Sequence, residues 1–289
     1  MSLFGTSGSG PLGPDPPDPP ELPGPLGPEG AEGERERKPW YSPSRLKTFL
    51  ECAKKYEFQN ILKRPTRPQP HFDLGTNVHA ALREWLRQPP VIRTWDGLLE
   101  LYRTEWRKNQ PAFATRPREE LQKWGEQGKA MLRRFADTLP DQLEPLATEK
   151  MVRVDFGDVV VGGRVDRVDE LPDKTLRVID YKTGKFPKNP ARTREEDLAA
   201  AVYARGTSEA FVGLPVSEVE YLYLEPMERL VFPVDAAWQA HKETVVSELA
   251  RRAMAAEAAK SFPAQPSNLC QWCDFLDACA EGRAFLDRG

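Results

Sequence analysis

Gly163-Arg164-Val165-Asp166-Arg167-Val168-Asp169, followed by Val178-Ile179-Asp180-Tyr181-Lys182-Thr183-Gly184-Lys185, carries the densest chemical information in this chain. Both blocks read as strands, and Leu171-Pro172-Asp173-Lys174 between them reads as a turn. On a strand, residues two apart share a face. Val178, Asp180 and Lys182 therefore point one way, and Ile179 and Tyr181 the other. A hairpin sets Asp166 beside Asp180. Adjacent carboxylates repel each other, and a Mg²⁺ or Mn²⁺ ion, both of which prefer oxygen ligands, relieves that repulsion. Such an ion polarises a phosphate oxygen and acidifies a water, while a lysine orients that water and stabilises charge on phosphorus. The competing reading is a surface hairpin whose charges face water.

The pattern extends outward on both sides. Met151–Phe156, Val159–Val168 and Thr175–Lys182 read as consecutive strands, joined at Gly157-Asp158 and at the 171–174 turn. A helix is expected from about Arg194 to Phe211, strands over Glu218–Glu225 and Arg229–Val234, and a long helix over 236–260. Upstream, Ser42-Pro43 reads as an N-cap with proline in the first helical turn, opening a helix to about Leu62. Pro65, Pro68 and Pro70 then interrupt the chain, and a second helix starts near Leu74, with Val78, Leu82, Trp85 and Leu86 on its apolar face. Two more helices follow near 95–109 and 117–138. The fold class is α/β: a mixed sheet core flanked by helices, behind a helical N-terminal region.

The chain has 289 residues and a formal net charge of −3. Residues 1–39 hold seven acidic and three basic side chains, which leaves the rest close to neutral. Bulk charge thus does not point to a nucleic-acid partner, and any binding groove depends on local clustering. Residues 1–38 are rich in Pro, Gly, Asp and Glu and poor in large apolar groups, so a disordered tail with polyproline character is expected. Residues 39–289 form one domain: a mainly helical part over 39–145, the core over 146–260 and a Cys-rich closing segment over 261–289. No stretch is apolar and long enough to span a bilayer, and no secretory signal is evident. A cytoplasmic protein with reduced thiols is expected.

Four cysteines complete the chemistry: Cys52 alone, then Cys270, Cys273 and Cys279. Four thiolates suit tetrahedral Zn²⁺ or a [4Fe–4S] cluster. Tying Cys52 to the distant trio closes a very long loop, which favours a structural role coupled to folding.

The two opening blocks resemble the PD-(D/E)XK nuclease superfamily, and its RecB-type branch most closely. That resemblance implies a restriction-endonuclease-like core, with Asp166 and Asp180 as metal ligands and Lys182 as the catalytic lysine. It also implies the Tyr181 backbone carbonyl as a metal ligand. Gly75-Thr76-Asn77-Val78-His79-Ala80-Ala81-Leu82 is similar to the branch's Gly-x-x-x-His helix start and implies His79 at the metal. Glu149, on the preceding strand, is a further catalytic candidate. The family's Gln-x-x-x-Tyr is present only as Tyr203, because Ala199 holds the Gln position; Tyr203 and Lys185 are the DNA-binding candidates. The Cys spacing and the segment Leu46–Tyr56 resemble the iron–sulfur subgroup, which includes the AddB nuclease domain and the small nucleases of CRISPR adaptation. This favours iron–sulfur over Zn²⁺, and the matched segments span about Ser42 to Cys279.

The implied function is a metal-dependent DNA nuclease, exonucleolytic or directed at single strands, in repair or recombination. A second reading is a nuclease-fold DNA-binding module with weak catalysis that docks a repair partner, and a third is an iron–sulfur redox sensor. Lys47, Lys54, Lys55, Lys63 and Arg64 give the first helix a basic side, and Lys182, Lys185 and Lys188 surround the proposed site. Trp272 and Tyr203 either stack on bases or lie in the core. The chain has no Gly-x4-Gly-Lys-Ser/Thr loop, so any helicase activity belongs to a partner acting in trans.

Overall fold

The computed structural model describes residues 38–66, 70–109, 116–140 and 142–288, without the side chains of 70–73. Contacts divide the chain into 1–38 and 39–289. The expected tail over 1–37 lies outside the described residues, and all the described strands and helices belong to the second unit.

β2 (Ala147–Asp155), β3 (Val160–Glu170) and β4 (Leu176–Lys182) form an antiparallel meander. β5 (Val216–Tyr223) returns parallel to β4, and β6 (Glu228–Pro233) closes antiparallel on β5. The parallel step needs a crossover. It is supplied by α6 (Pro190–Glu196) and α7 (Ala199–Ala210). A two-residue strand, β1 (Trp40–Tyr41), pairs parallel with Val160 and Val161. The sheet thus runs β1-β3-β4-β5-β6, with β2 on the other edge of β3.

This topology leaves a gap. β3 pairs with β1 at Val160 and Val161, and with β4 only from Arg167 to Glu170. Among the described pairings, none fills that edge of β3 from Gly162 to Asp166. The gap is where chemistry can reach the sheet.

The two sheet faces bury different clusters. Ile179, Tyr181 and Leu222 pack against α3 (Pro70–Leu86), α4 (Trp95–Asn109) and α5 (Arg118–Thr138), through Val78, Leu82, Trp85, Leu98, Met131 and Phe135. Val178, Val219 and Tyr221 lie on the opposite face with Ala200 and Ala204 of α7. The alternation expected along β4 is therefore realised. A third cluster joins α1 (Pro43–Glu51) to α8 (Ala236–Ala259) through Leu46, Phe49, Val246 and Leu249.

Several boundaries differ from the sequence reading. The helix expected over 42–62 breaks at Cys52, whose extended backbone (φ −167°, ψ 115°) separates α1 from α2 (Ala53–Tyr56) and a π-turn over Glu57–Ile61. The helix expected over 194–211 is two helices, because Asp197 (ψ 138°) leaves helical geometry and its Oδ1 accepts the N–H groups of Ala199 and Ala200 at 2.9 and 2.7 Å. α3 starts at Pro70, and proline is tolerated in a first helical turn. Among the described residues, no helix is long and apolar enough to cross a membrane.

Candidate active site

Asp166 lies one residue beyond the last β3–β4 pair, Arg167 with Ile179, and continuing that register sets it opposite Asp180. The backbone ladder has ended there. Instead, the Tyr181 N–H donates to Asp166 Oδ2 at 2.7 Å, so a side chain holds the parting strands together. The other oxygen, Asp166 Oδ1, lies 3.1 Å from His79 Nδ1. His79 reaches this point from α3 because Gly75, one helical turn earlier, lets the helix close on the end of β4. A Cβ at Gly75 would lie 3.2 Å from Thr183 Oγ1. The His79 ring stands edge-on to Tyr181, with centroids 5.9 Å apart.

Lys182 shares its strand face with Asp180, as the spacing predicts, and its Nζ lies 2.5 Å from Asp180 Oδ2. The same ammonium sits 4.3 Å from the centre of the Tyr221 ring. Tyr221 in turn donates its hydroxyl to Asp197 Oδ2 at 2.8 Å. Asp197 therefore caps α7 with one oxygen and fixes the lysine's aromatic seat with the other. The sequence reading named neither residue. An Asp just before a helix was a legible cap signal, but nothing in the sequence linked it to Lys182.

The electrostatics follow from burial. Asp180 is buried, which raises its pKa above the ordinary carboxylate range; Lys182 opposes this and Asp166 adds to it. For His79, burial alone lowers the pKa. The charge of Asp166, its hydrogen bond and the charge of Asp180 outweigh burial, so the imidazole titrates above its usual range. Lys182 behaves likewise: desolvation works against its charge, and Asp180 overrides it.

The gap along β3 opens into a cleft of about 480 Å³. Gly163 and Arg164 line it from β3, Lys182 and Tyr221 from the sheet, Ala199 and Tyr203 from α7, and Ser42, Ser44 and Lys47 from the start of α1. Gly163 permits a close approach, since a Cβ there would meet Tyr203 Cε1 at 3.1 Å and Oη at 3.3 Å. Ala199 and Tyr203 thus stand together on the cleft wall, as their spacing suggested. Of the predicted site residues, Lys182 and Tyr203 line this cleft, whereas Asp166, Asp180 and His79 do not; two more candidates are set apart. Glu149 continues the β2–β3 register opposite Asp166, but its backbone has φ 52° and its carboxylate pairs with Arg164 at 3.3 Å. Lys185 is exposed in the loop after β4 and does not line the cleft.

All four cysteines line one cavity of about 270 Å³, away from this cleft. They are free thiols at chain turns: Cys52 between α1 and α2, Cys279 at the start of α9 (Ala280–Leu286). Backbone N–H groups of Gln265, Ser267 and Gly282 point at Cys52, Cys270 and Cys279 Sγ, each at 3.4 Å. A Cβ on Gly282 would lie 3.4 Å from Cys279 Sγ and 3.6 Å from Cys270 Sγ. Burial raises the Cys279 pKa, and the charges of Glu281 and Cys52 raise it further. Among the described residues, no three His, Cys, Asp or Glu side chains are grouped as a metal-ion site. The oxygens of Asp180 and Asp166 are instead engaged by Lys182, His79 and the Tyr181 N–H.

A mixed sheet whose central strands part over two facing carboxylates and a lysine defines the architecture of a restriction-endonuclease-like nuclease. The chain matches the model of the PD-(D/E)XK nuclease superfamily over residues 41–280 and belongs to that superfamily. Among solved structures, it is similar to one titled "Putative exonuclease" from Eubacterium rectale, at 12% identity and a TM-score of 0.54. That alignment covers 84% of this chain and 93% of the other, and it shows a shared fold. A second structure, SSO0001, is 14% identical with a TM-score of 0.40, over 86% of this chain and 88% of that one. No curated protein matches the chain.

Proposed function

We propose that residues 39–289 form a divalent-metal-dependent DNA nuclease, acting on ends or single strands in repair or recombination. The observation that carries this reading is the register of Asp166 against Asp180 at the point where β3 and β4 part, with Lys182 seated on Asp180. The donor set suits a hard ion: two carboxylates, one buried, with an imidazole beside them. Lys182 Nζ against Asp180 marks the position as one that draws positive charge. Asp166, Asp180 and His79 would hold Mg²⁺ or Mn²⁺, with the Tyr181 carbonyl and Glu149 as further candidates. Such an ion, when bound, would supply a Lewis acid for the phosphate and an acidified water.

The chain's own groups do the rest. Lys182, held between Asp180 and the Tyr221 ring, orients the attacking water and stabilises negative charge on the phosphate. Arg164 and Lys47 offer cations to the flanking backbone phosphates. Tyr203 presents its ring in the cleft, and Lys185 meets the strand further out. A motor, where one is needed, comes from a helicase partner.

The test is cleavage of labelled single- and double-stranded DNA with Mn²⁺ or Mg²⁺. Lys182→Ala should lose about 10²–10⁴-fold in rate; equal cleavage by both proteins rejects the assignment. Ala199 in the cleft wall favours one rival, a DNA-binding module with weak catalysis. Binding without metal-stimulated cleavage would establish that rival.

We propose the four cysteines, which line one cavity, as the ligands of a [4Fe–4S] cluster. Four sulfurs surround one space, three receive N–H donors, and Gly282 keeps the wall clear of a Cβ. Zn²⁺, with bonds of about 2.3 Å, requires sulfurs drawn tightly round one ion. Between the two occupants, the resemblance of the Cys spacing to the iron–sulfur subgroup is what favours the cluster.

A further inference from the structure

α1 and the segment after it run from the cleft beside Lys182 to the cysteine cavity. Lys47 lines the cleft, and Lys54, beyond the break at Cys52, lines the cavity. Residues 42–64 carry six Lys or Arg against two Glu; three of the six are paired, Arg45 with Glu257, Lys54 with Glu57 and Lys55 with Glu51. Lys47 and Arg64 meet no carboxylate among the described residues; the Arg64 guanidinium lies over the Phe58 ring, 4.5 Å from its centre. At the far end of this basic strip, Trp272 is 77% exposed and Leu269, one turn earlier, 68%. Trp272 is therefore not a core residue, although it stands on the wall of the cysteine cavity.

A large aromatic ring left in water beside a run of cations has the chemistry of a single-stranded nucleic-acid track. Phosphates follow the cations, and an unpaired base offers its π-face to the ring. A duplex already has its base faces stacked and cannot use the ring in this way. We propose that Trp272 is a base-stacking platform for single-stranded nucleic acid, reached by a strand that leaves the cleft at Lys47 and follows the segment that carries Lys54, Lys55 and Arg64. This rests on the nuclease reading and adds to it where the substrate lies outside the cleft. α1 spans about 13 Å by its helical rise, so the contact belongs to nucleotides several steps from the scissile bond.

The experiment uses the full chain and oligodeoxynucleotides of graded length, after confirming that the Lys182→Ala protein is inactive. Trp272→Ala should raise KM about tenfold for long single strands, with kcat unchanged and no effect on the shortest substrates. Trp272→Phe should keep most of the wild-type KM. Arg64→Ala, outside the Cys-rich segment, should produce a smaller rise with the same length dependence, and it serves if Trp272→Ala folds poorly. A KM that does not move, or one that rises equally at every length, overturns the proposal; an unmoved KM would point to a protein partner on this surface. The nuclease reading fails separately, through undiminished cleavage by Lys182→Ala.

Discussion

Asp166 accepts the backbone N–H of Tyr181 at 2.7 Å, so one carboxylate both bridges the parting strands and faces Asp180. The two roles separate by substitution. Asp166→Asn keeps an oxygen for the Tyr181 N–H and should fold with little loss. Its activity should fall by more than the roughly 10–100-fold expected from losing an outer partner of a metal ligand. Asp166→Ala also strands a buried donor and should cost about 1–3 kcal/mol in addition. Thermal denaturation beside the cleavage assay checks both, and equal stability of the two variants would deny the bridging role.

Tyr221 holds Lys182 through its ring and Asp197 through its hydroxyl. Tyr221→Phe preserves the ring and should leave kcat near wild type, with a stability loss of about 1 kcal/mol. Tyr221→Leu removes the seat of the ammonium, worth about 0.5–2 kcal/mol, and should lower kcat by up to about thirtyfold. If the two variants turn over alike, the ring does not position the lysine.

In the absence of metal, Asp180 and His79 both bind protons more tightly folded than unfolded. Each therefore contributes stability that is complete below its unfolded pKa and fades as pH rises through its folded one. The metal-free protein should lose stability in two windows, one above the ordinary carboxylate range and one above 6.5. Added Mn²⁺ takes the place of the protons and should reverse the trend. Melting temperature against pH, with and without Mn²⁺, measures this. Asp180→Asn should flatten the lower window, and a metal-free melting temperature that climbs through both would contradict this charge balance.

The sequence made the site legible where strand period and hairpin register suffice. Alternation alone put Asp180 with Lys182 and sent Tyr181 to the opposite face, and the turn at 171–174 set Asp166 opposite Asp180. It could not show that β3 carries β1 and β4 on one edge with a gap between them, because β1 is two residues long and gives no periodic signal. Nor could it foresee the Asp197–Tyr221–Lys182 chain, which joins a crossover helix to two strands. The break at Cys52 was hidden for another reason. The residues on both sides keep helical spacing, and only the backbone angle of one residue turns its thiol toward the distant trio.

Gly163 and Tyr203 offer a test confined to the cleft wall. A methyl group at Gly163 would press on the Tyr203 ring at 3.1 Å, so the ring must shift by a few tenths of an ångström. Gly163→Ala should lower kcat/KM several-fold, with about 1 kcal/mol or less of stability lost. In a Tyr203→Ala background the penalty should vanish, since the two residues are in contact. Additive effects would show that the glycine acts elsewhere.

Cys52 is the most discriminating of the four thiols, because it alone lies outside the closing segment. Cys270, Cys273 and Cys279 are local to one another, and their turns could persist without a ligand. Cys52 gains its place only through tertiary contact, with the Gln265 N–H pointing at its sulfur. If a cluster ties it to the trio, the link closes most of the folded chain into one loop, and ligand binding becomes part of folding. Anaerobically purified protein should then absorb in the visible and contain iron. Cys52→Ser and Cys273→Ser should both be colourless and melt at a lower temperature, with nuclease activity falling only in step with the folded fraction. A colourless wild type carrying one zinc would replace the cluster with a single ion, and a brown, fully stable Cys52→Ser protein would detach Cys52 from the site altogether.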